Sequence, residues 1–444
     1  MGVIKEDPVV CLPCRRKFAS RQQLLKHQRS SDLHLRNVEK REEKVRRRKK
    51  ELIMAARAVK QQIFEAEEAL ASQAGPVLEA LQTQKGYLEL QLQQLLGEYG
   101  MAQEILETSR LLREAKSSGL EPAQAVREVR VGELALTAGV ASWQSNKDVQ
   151  EDRYILDIDI QSPDGLPIAG FAVLDGHSGS RCVEHVVEHF GGFLAKCVAS
   201  LPRLSDEGLT RAVHEACALT DNEFLAKARE IEMLDGSTMI LALVYPQDAH
   251  LPGCKLLVAC IGDSRAVLCK ACASGDAPYA AAQPEQFMAV PLSEDHKPNR
   301  EDERRRVEAK GGLVDFEGVW RVFMPGPAKF GGQLVARWGL AVSRSFGDLL
   351  LKEAEKYDCV GVVPGGLVIS QPEIRIMDLQ PDVDRFAVLA SDGVWDVVSN
   401  EDAVAICAAQ PTAELAAQRL LRHTYASNTD DNITALVITW RAVE

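Results

Sequence analysis

The chain has 444 residues, a formal net charge of −12 and 46% apolar residues, which is ordinary for a globular protein and enough for a sizeable core. No apolar run approaches the roughly 20 residues of a membrane span, and no signal peptide is visible, so the sequence argues against a membrane or secreted protein. We therefore expect reduced thiols, a cytoplasmic and/or nuclear location, and no membrane partner.

Charge is strongly segregated along the chain. Residues 1–60 contain 18 Lys and Arg against 7 Asp and Glu, a balance of +11. The remainder contains 34 against 57, a balance of −23, and the two parts sum to −12. This asymmetry predicts a basic N-terminal part with a binding role of its own, attached to an acidic domain.

The first predicted element is a zinc finger in residues 1–35. Cys11 and Cys14 are followed after twelve residues by His27 and then, after six more, by His34. Two cysteines and two histidines in this order are typical of a small ββα finger that binds one Zn²⁺. The gap between the histidines is longer than the usual three to five, and it resembles the long-spaced fingers of some RNA-binding splicing regulators.

The partner of this finger is open between DNA, RNA and protein. Basic residues such as Arg15, Arg16 and Lys17 could contact phosphates, or they could simply keep a small module soluble. One finger reads only about three base pairs, so it specifies little by itself. We favour nucleic acid, RNA in particular, over a protein partner.

Residues 36–118 are predicted to be a basic helical linker. Residues 36–72 lack Gly and Pro and consist largely of helix-forming residues. The basic run 44–50 could be a nuclear localisation signal, a nucleic-acid contact or a solvated helical face. A second helical segment, 77–116, has leucines without a clean heptad, so a helical hairpin and an intermolecular coiled coil both remain open.

Residues 125–444 are predicted to be one domain of mixed α and β content. Residues 123–135 are expected to lead into this domain as its first strand. Helices are expected at about 180–199, 208–231, 300–310, 401–408 and 412–426. Several apolar, strand-like runs begin or end in acids. These acids are Glu151, Asp152, Asp175, Asp263, Asp392, Asp430 and Asp431. Acids at the ends of several buried strands are what a cluster of hard, oxygen-liganded divalent cations needs.

An ordered series of motifs carries a family resemblance. The series comprises Glu151-Asp152, Asp175-Gly-His177, Asp235-Gly-Ser-Thr238, Gly262-Asp-Ser-Arg265, Asp295-His-Lys-Pro298, Gly311-Gly312, Leu340-Ala-Val-Ser-Arg344, Gly347-Asp348, Ser391-Asp-Gly-Val-Trp-Asp396 and Asp431-Asn432. In this order the motifs resemble the metal-dependent serine/threonine protein phosphatases of type 2C (the PPM family) over roughly residues 130–442. The resemblance implies an α+β fold, a β-sandwich of two antiparallel sheets flanked by α-helices.

The resemblance also implies a site with two Mg²⁺ or Mn²⁺ ions and a weaker third. Asp175 would bridge the two metals. Asp392 and Asp431 would complete one of them, while Glu151 and the carbonyl of Gly176 would serve the other. Asp263 would help Asp392 to hold the third ion.

Hydrolysis would then proceed by attack of a metal-bridged hydroxide on phosphoserine or phosphothreonine in a protein substrate, without a phosphoenzyme. His177 would protonate the leaving oxygen. Asp152 would orient metal-bound waters, and Thr238 would stand near the third metal.

Several other positions in the motifs are expected to be structural. Asp295, His296 and Lys297 are interpreted as a turn. Asp348 and Asp396 are interpreted as hydrogen-bonding residues near the site.

Two departures from the family pattern stand out. Where the family usually has an arginine that grips the substrate phosphate, this chain has Asn146-Lys147. Lys147 cannot form the bidentate fork of an arginine and is expected to bind phosphate more loosely. Residues 313–338 are longer than the family's flap and are either a substrate selector or a passive surface loop.

The main hypothesis is therefore an active serine/threonine phosphatase whose finger directs targeting. The alternative is a catalytically silent phosphatase fold that serves as an adaptor and binds RNA or protein through the finger. Silent relatives would be expected to lose metal-site acids, and every matched acid is present here. The protein substrate, the choice of Mg²⁺ or Mn²⁺ and the oligomeric state stay open.

Overall fold

The computed structural model describes residues 9–11, 16–18, scattered positions between 44 and 91, and most of 123–443. The gaps in the last range are 232, 248–252, 273–285, 327, 331–332, 336–338, 358, 360 and 428. The chain divides into two units, Met1–Glu121 and Pro122–Glu444.

In the first unit, the described residues include an antiparallel hairpin of β1 (Val9–Cys11) and β2 (Arg16–Phe18), in which Cys11 pairs with Arg16. Residues 50–55 are helical. Cys14, His27 and His34 lie outside the described residues, as does most of the linker 36–118. The finger and the helical linker therefore stay predictions.

Two antiparallel sheets form the centre of the second unit. The strands of the first sheet are β5 (Arg153–Gln161), β6 (Pro167–Leu174), β9 (Met239–Pro246), β10 (Cys254–Ile261) and β19 (Glu373–Leu379). Those of the second are β3 (Ala123–Val131), β4 (Leu134–Trp143), β11 (Arg265–Ala271), β12 (Phe287–Pro291), β20 (Asp384–Ala390) and β21 (Ile433–Ala442). The first, five-stranded sheet has the order β19-β10-β9-β6-β5, and the second, six-stranded sheet has the order β12-β11-β20-β21-β4-β3.

Central strands of both sheets are buried on both faces. In β9, Ile240, Ala242 and Val244 pack in the core between the two sheets, whereas Met239, Leu241, Leu243 and Tyr245 pack in the core beneath the helices. β21 divides its side chains in the same way between two cores. Because successive side chains of a strand point to opposite faces, such a strand needs apolar residues at every position. This explains the unbroken apolar runs in the sequence.

Helices cover the outer face of each sheet. The five-stranded sheet is covered by α1 (Arg181–Ala199) and α2 (Asp206–Ile231). The apolar face of α1 includes Val183, Val186 and Phe190. The apolar positions of α1 recur three and four residues apart, as a helix with one buried face requires. The six-stranded sheet is covered by α6 (Asn400–Ala408) and α7 (Ala413–Ala426). The predicted α+β sandwich is confirmed.

Smaller elements lie around the sandwich. The other helices are α3 (Glu301–Ala309), α4 (Leu349–Lys352), a 3₁₀ turn (Ala354–Tyr357) and α5 (Asp392–Trp395). A small sheet joins β7 (Gly176–His177), β8 (Gly236–Ser237) and β18 (Phe346–Gly347). The long flap region contains β13 (Leu313–Glu317), β14 (Val319–Phe323), β15 (Ala328–Phe330), β16 (Gln333–Val335) and β17 (Gly339–Leu340).

The five predicted helices agree with α1, α2, α3, α6 and α7 to within two residues at each end. The predicted first strand, 123–135, is too long. β3 ends at Val131, and Gly132, with a φ of +54°, turns the chain into β4. This left-handed conformation suits glycine because it has no Cβ. None of the helices in the described part of the chain combines the length and apolar composition of a membrane crossing.

Candidate metal and phosphate site

Asp175 follows the central strand β6, and its backbone is held on both sides. The Thr238 amide donates to the Asp175 carbonyl at 2.8 Å, and the Asp175 amide donates to the Thr238 hydroxyl at 3.1 Å. That hydroxyl also lies 2.8 Å from the Ser264 hydroxyl. The structure thus places Thr238 against the backbone of Asp175, where it orients this acid.

Three carboxylates from separate strand ends converge. Asp175 follows β6, Asp263 lies between β10 and β11, and Asp392 begins α5, separated from the end of β20 by Ser391 alone. One carboxylate oxygen from each of the three acids lies within 4.8 Å of an oxygen of each of the other two. Burial together with the negative charge of Asp392 holds the pKa of Asp175 well above its usual range. Burial together with the charge of Asp263 raises the pKa of Asp392 to about 8.

This donor set fits divalent cations. Buried carboxylates repel one another and lose hydration, and both costs fall when a cation lies between them. An all-oxygen set of this kind suits Mg²⁺ or Mn²⁺ better than a softer metal.

Glu151 and Gly176 lie next to each other beside this cluster. The Gly179 amide donates to Glu151 Oε1 at 2.8 Å. A Cβ on Gly176 would lie only 2.7 Å from the Glu151 carbonyl oxygen, so the close approach of the two backbones requires glycine there. The two residues predicted to serve the same metal are therefore adjacent.

Asn432 connects Glu151 to the loop before β5 through hydrogen bonds of its side chain. Its side-chain oxygen accepts from the Glu151 amide at 2.8 Å, while its amide group donates to the carbonyls of Gln144 and Val149 at 2.9 and 3.0 Å. The sequence analysis assigned no role to this side chain, although it lies within a matched motif. Its bonds to the loop 144–149 position the segment that carries Lys147.

Lys147 lies against Asp431. Its Nζ is 3.0 Å from Asp431 Oδ1. Burial lowers the pKa of Lys147, but the bond to Asp431 and the charges of nearby acids, Asp175 among them, outweigh burial, so the net pKa is raised. Asp431 was predicted to share a metal with Asp175 and Asp392. In this structure its carboxylate contacts the lysine, and the third acid in the close cluster is Asp263.

Asp152 is buried behind the cluster. Its Oδ2 accepts from the Ser391 hydroxyl at 2.7 Å, and its Oδ1 has no hydrogen-bond partner among the described residues. Burial raises the pKa of Asp152 to about 6. An unpaired buried oxygen next to an acid cluster is well placed to accept from a water molecule on a cation, which fits the role predicted for Asp152.

His177 has a carboxylate partner that the sequence analysis did not assign. Its Nε2 lies 2.8 Å from Asp348 Oδ2, which also accepts from the Ser345 hydroxyl at 2.5 Å. Asp348 is fully buried and has a φ of 52°, an uncommon conformation for a residue other than glycine. Burial lowers the pKa of His177. The charge of Asp348 and the hydrogen bond to Asp348 raise this pKa by more than burial lowers it, so the net shift is upward.

The space for this pair depends on Gly236 in β8. A Cβ at that position would lie 2.2 Å from both His177 Nε2 and Asp348 Oδ2. Gly236 belongs to the matched motif 235–238, but only the packing shows why it has no side chain.

Lys297 was expected to belong to a structural turn. The structure places its Nζ 2.5 Å from Asp263 Oδ2, where the acids raise the pKa of the lysine despite its burial. The neighbouring His296 fits the structural expectation, because its buried ring accepts from the Gly262 amide at 3.1 Å. Lys297 is thus the cationic neighbour of the acid cluster that the sequence analysis missed, although the motif contained it.

Known proteins match most of the second unit of the chain. The family model described as Protein phosphatase 2C matches residues 137–433. The chain is 34% identical to "Probable protein phosphatase 2C 76" of Arabidopsis thaliana over 69% of this chain and 60% of that protein. It is 36% identical to "Probable protein phosphatase 2C 52" of Oryza sativa subsp. japonica over 68% of this chain and 50% of that protein. The match thus spans about half to three fifths of the length of these two relatives.

Solved structures show the same fold at low sequence identity. The serine-threonine phosphatase 2C from Toxoplasma gondii superposes with a TM-score of 0.53 at 23% identity, covering 72% of this chain and 100% of that one. A sex determining protein of C. elegans superposes with a TM-score of 0.50 at 18% identity, covering 83% of this chain and 76% of that one.

Proposed function

The chain belongs to the protein phosphatase 2C family, and on that basis we propose that it is a metal-dependent hydrolase of phosphoserine and phosphothreonine in proteins. The observation that carries this proposal is the convergence of Asp175, Asp263 and Asp392 from three strand ends to within 4.8 Å. A catalytically silent fold would have no need to keep three carboxylates, one buried and two partly buried, so close together, since their repulsion is costly.

The proposed metal ligands form three overlapping sets, one for each of two ions and one for a weaker third. Asp175, Asp392 and Asp431 would hold one ion, while Asp175, Glu151 and the Gly176 carbonyl would hold the other. Asp263 with Asp392 would hold a weaker third. When bound, such ions supply a water nucleophile of lowered pKa and neutralise charge on the phosphoryl oxygens.

His177 is the proposed proton donor to the serine or threonine oxygen that leaves. The bond to Asp348 engages Nε2, so the proton would come from Nδ1, the other ring nitrogen. Asp348 orients the ring and favours its protonated form, because the charge of Asp348 and the bond to it raise the pKa of His177. An alkoxide is a poor leaving group, so protonation lowers the barrier for this step.

Lys147 is the proposed phosphate-binding cation. Its bond to Asp431 holds the ammonium group beside the acid cluster, and nearly half of the side chain is exposed and accessible to a substrate. A lysine binds phosphate as a point charge, without the fixed geometry of an arginine fork.

The test is hydrolysis of phosphoserine and phosphothreonine peptides by the full chain in Mn²⁺. Asp175→Ala should lower kcat by about 10³-fold or more, because metal ions stabilise transition states by several kcal/mol and about 1.4 kcal/mol corresponds to a factor of ten. Asp382→Asn, which changes an exposed acid in the turn before β20, is the matched control and should leave kcat unchanged. Folded wild-type protein that hydrolyses no phosphopeptide in Mn²⁺ or Mg²⁺ would refute the proposal.

We propose in addition that residues 1–35 form a targeting finger in which Cys11, Cys14, His27 and His34 bind Zn²⁺. The hairpin of β1 and β2, with Cys11 at the end of its first strand, supports a ββα module. Crosslinking and pull-down with the full chain, with and without Cys11→Ser, tests this role. RNA recovered only with the intact cysteine would support RNA targeting, whereas protein partners alone would contradict it.

A further inference from the structure

Helices α1 and α2 bring a second set of metal-binding side chains together, apart from the acid cluster. His185 and His189 are four residues apart on α1 and therefore lie on one face of the helix, with ring centroids 4.4 Å apart. Glu223 reaches them from α2. One ligand atom from each residue can be chosen so that all three lie within 4.8 Å of one another.

The distances are close to those of a zinc site. Glu223 Oε2 is 3.9 Å from His185 Nε2 and 4.0 Å from His189 Nδ1. Zinc binds nitrogen and oxygen at about 2.0–2.1 Å in a tetrahedron, which separates ligand atoms by about 3.3–3.4 Å. Each histidine nitrogen would therefore have to move about 0.6 Å closer to Glu223 Oε2 to reach the spacing of zinc ligands, a shift within the range of side-chain rotations.

His185 supplies an independent sign of a missing ligand. Its side chain is only 6% exposed, and its Nε2 has no hydrogen-bond partner among the described residues. The Thr220 backbone raises the pKa of this ring by less than burial lowers it. An unsatisfied buried polar atom is costly and rare. Burial also lowers the pKa of His185, which favours the neutral imidazole that metals bind.

We propose that His185, His189 and Glu223 form a zinc site that joins α1 to α2 on the outer face of the five-stranded sheet. Two imidazole nitrogens favour Zn²⁺ over the hard cations that suit the acid cluster. His189 and Glu223 are 31% and 36% exposed, so the site is open to solvent, and water can occupy the fourth position. The exposed Nε2 side of His189 faces Glu188 Oε2 at 3.8 Å, a carboxylate suited to orient the ring.

Lys227 opposes zinc binding. Its Nζ lies 3.4 Å from His185 Nδ1 and 3.3 Å from Glu223 Oε1, so it competes for one ligand and repels a cation. Its side chain is 48% exposed and can turn into solvent when zinc binds. A variant without this lysine should therefore bind zinc more tightly, whereas variants that lack a ligand should bind it more weakly.

The experiment is a Zn²⁺ titration by calorimetry of the full chain in excess Mg²⁺, with bound zinc counted by elemental analysis after dialysis. All variants are made in a Cys11→Ser, Cys14→Ser background, so that the N-terminal cysteines do not contribute. His189→Ala and Glu223→Gln test the site. His214→Ala, a histidine of α2 far along the helix from Glu223, is the matched control.

His189→Ala and Glu223→Gln should weaken zinc binding by about 100-fold or more, because even outer-shell partners contribute 10- to 100-fold. His214→Ala should bind as the parent does, and Lys227→Met should bind about tenfold more tightly, since the positive charge that contacts Glu223 is removed. Zinc should also raise the melting temperature of the parent but not that of His189→Ala. Equal zinc stoichiometry and affinity in the parent and a folded His189→Ala variant would overturn the proposal.

Discussion

Replacing Gly236 by alanine should separate the two side chains that prepare the proton donor. The new Cβ would lie 2.2 Å from His177 Nε2 and 2.2 Å from Asp348 Oδ2, whereas ordinary contact begins at 3.4 Å. Both side chains must then move by 3.4 − 2.2 = 1.2 Å, which breaks their 2.8 Å bond. The φ of Gly236 is not positive, so the backbone itself accepts alanine.

The size of the effect follows from this displacement. A misplacement of about 1 Å can cost about 10²-fold in rate, and general acid catalysis contributes about 10²–10⁴-fold in total. We therefore expect kcat for a phosphoserine peptide to fall by about 10²-fold or more. The buried Asp348 also loses a partner, which should cost about 1–3 kcal/mol of stability. Activity should accordingly be measured well below the melting temperature of the variant.

The assay compares two leaving groups. p-Nitrophenolate leaves without protonation, so hydrolysis of p-nitrophenyl phosphate should fall far less than hydrolysis of the phosphoserine peptide. Gly192→Ala is the control, because a Cβ on this exposed residue of α1 meets no atom within 4 Å. Wild-type activity of Gly236→Ala on the peptide would refute the reasoning, as would an equal loss on both substrates.

Two further predictions concern the acid cluster. The pKa of Asp392 is raised to about 8, so this carboxyl is protonated in the metal-free fold at pH values where it is charged in the unfolded chain. In EDTA, stability should therefore be highest at low pH within the range from about 4 to 8 and fall as the pH rises. Asp392→Asn should flatten this slope in thermal scans, and an unchanged slope would contradict the assignment. Lys297→Met removes the positive charge beside Asp263, so the Mn²⁺ concentration for half-maximal activity should fall by about tenfold; an unchanged or higher requirement would argue against this competition.

The acids of the candidate site could be identified from the sequence because of where they stand. Asp175 and Asp392 each follow an apolar run that ends in Asp-Gly, and a buried strand leaves its next residue at the rim of a sheet. The same runs could not show whether the sheets are parallel or antiparallel. Residues such as Ile240 and Leu241 face two different cores, so no alternation between apolar and polar positions remains to be read.

What the sequence determined by itself was the family, the bounds of the five longer helices and the residues with the right chemistry, since all of these depend on the order of residues along the chain. The tertiary structure decided which of those residues meet. His177 and Asp348 are 171 positions apart, and Glu151 and Asn432 are 281 apart, so only the register of several strands brings each pair within hydrogen-bond distance. The tertiary structure also put Lys297 against Asp263 and left His185 Nε2 unpaired beside Glu223. Burial and proximity arise only on packing, and they set the charges and the unmet bonds on which the chemistry of this protein depends.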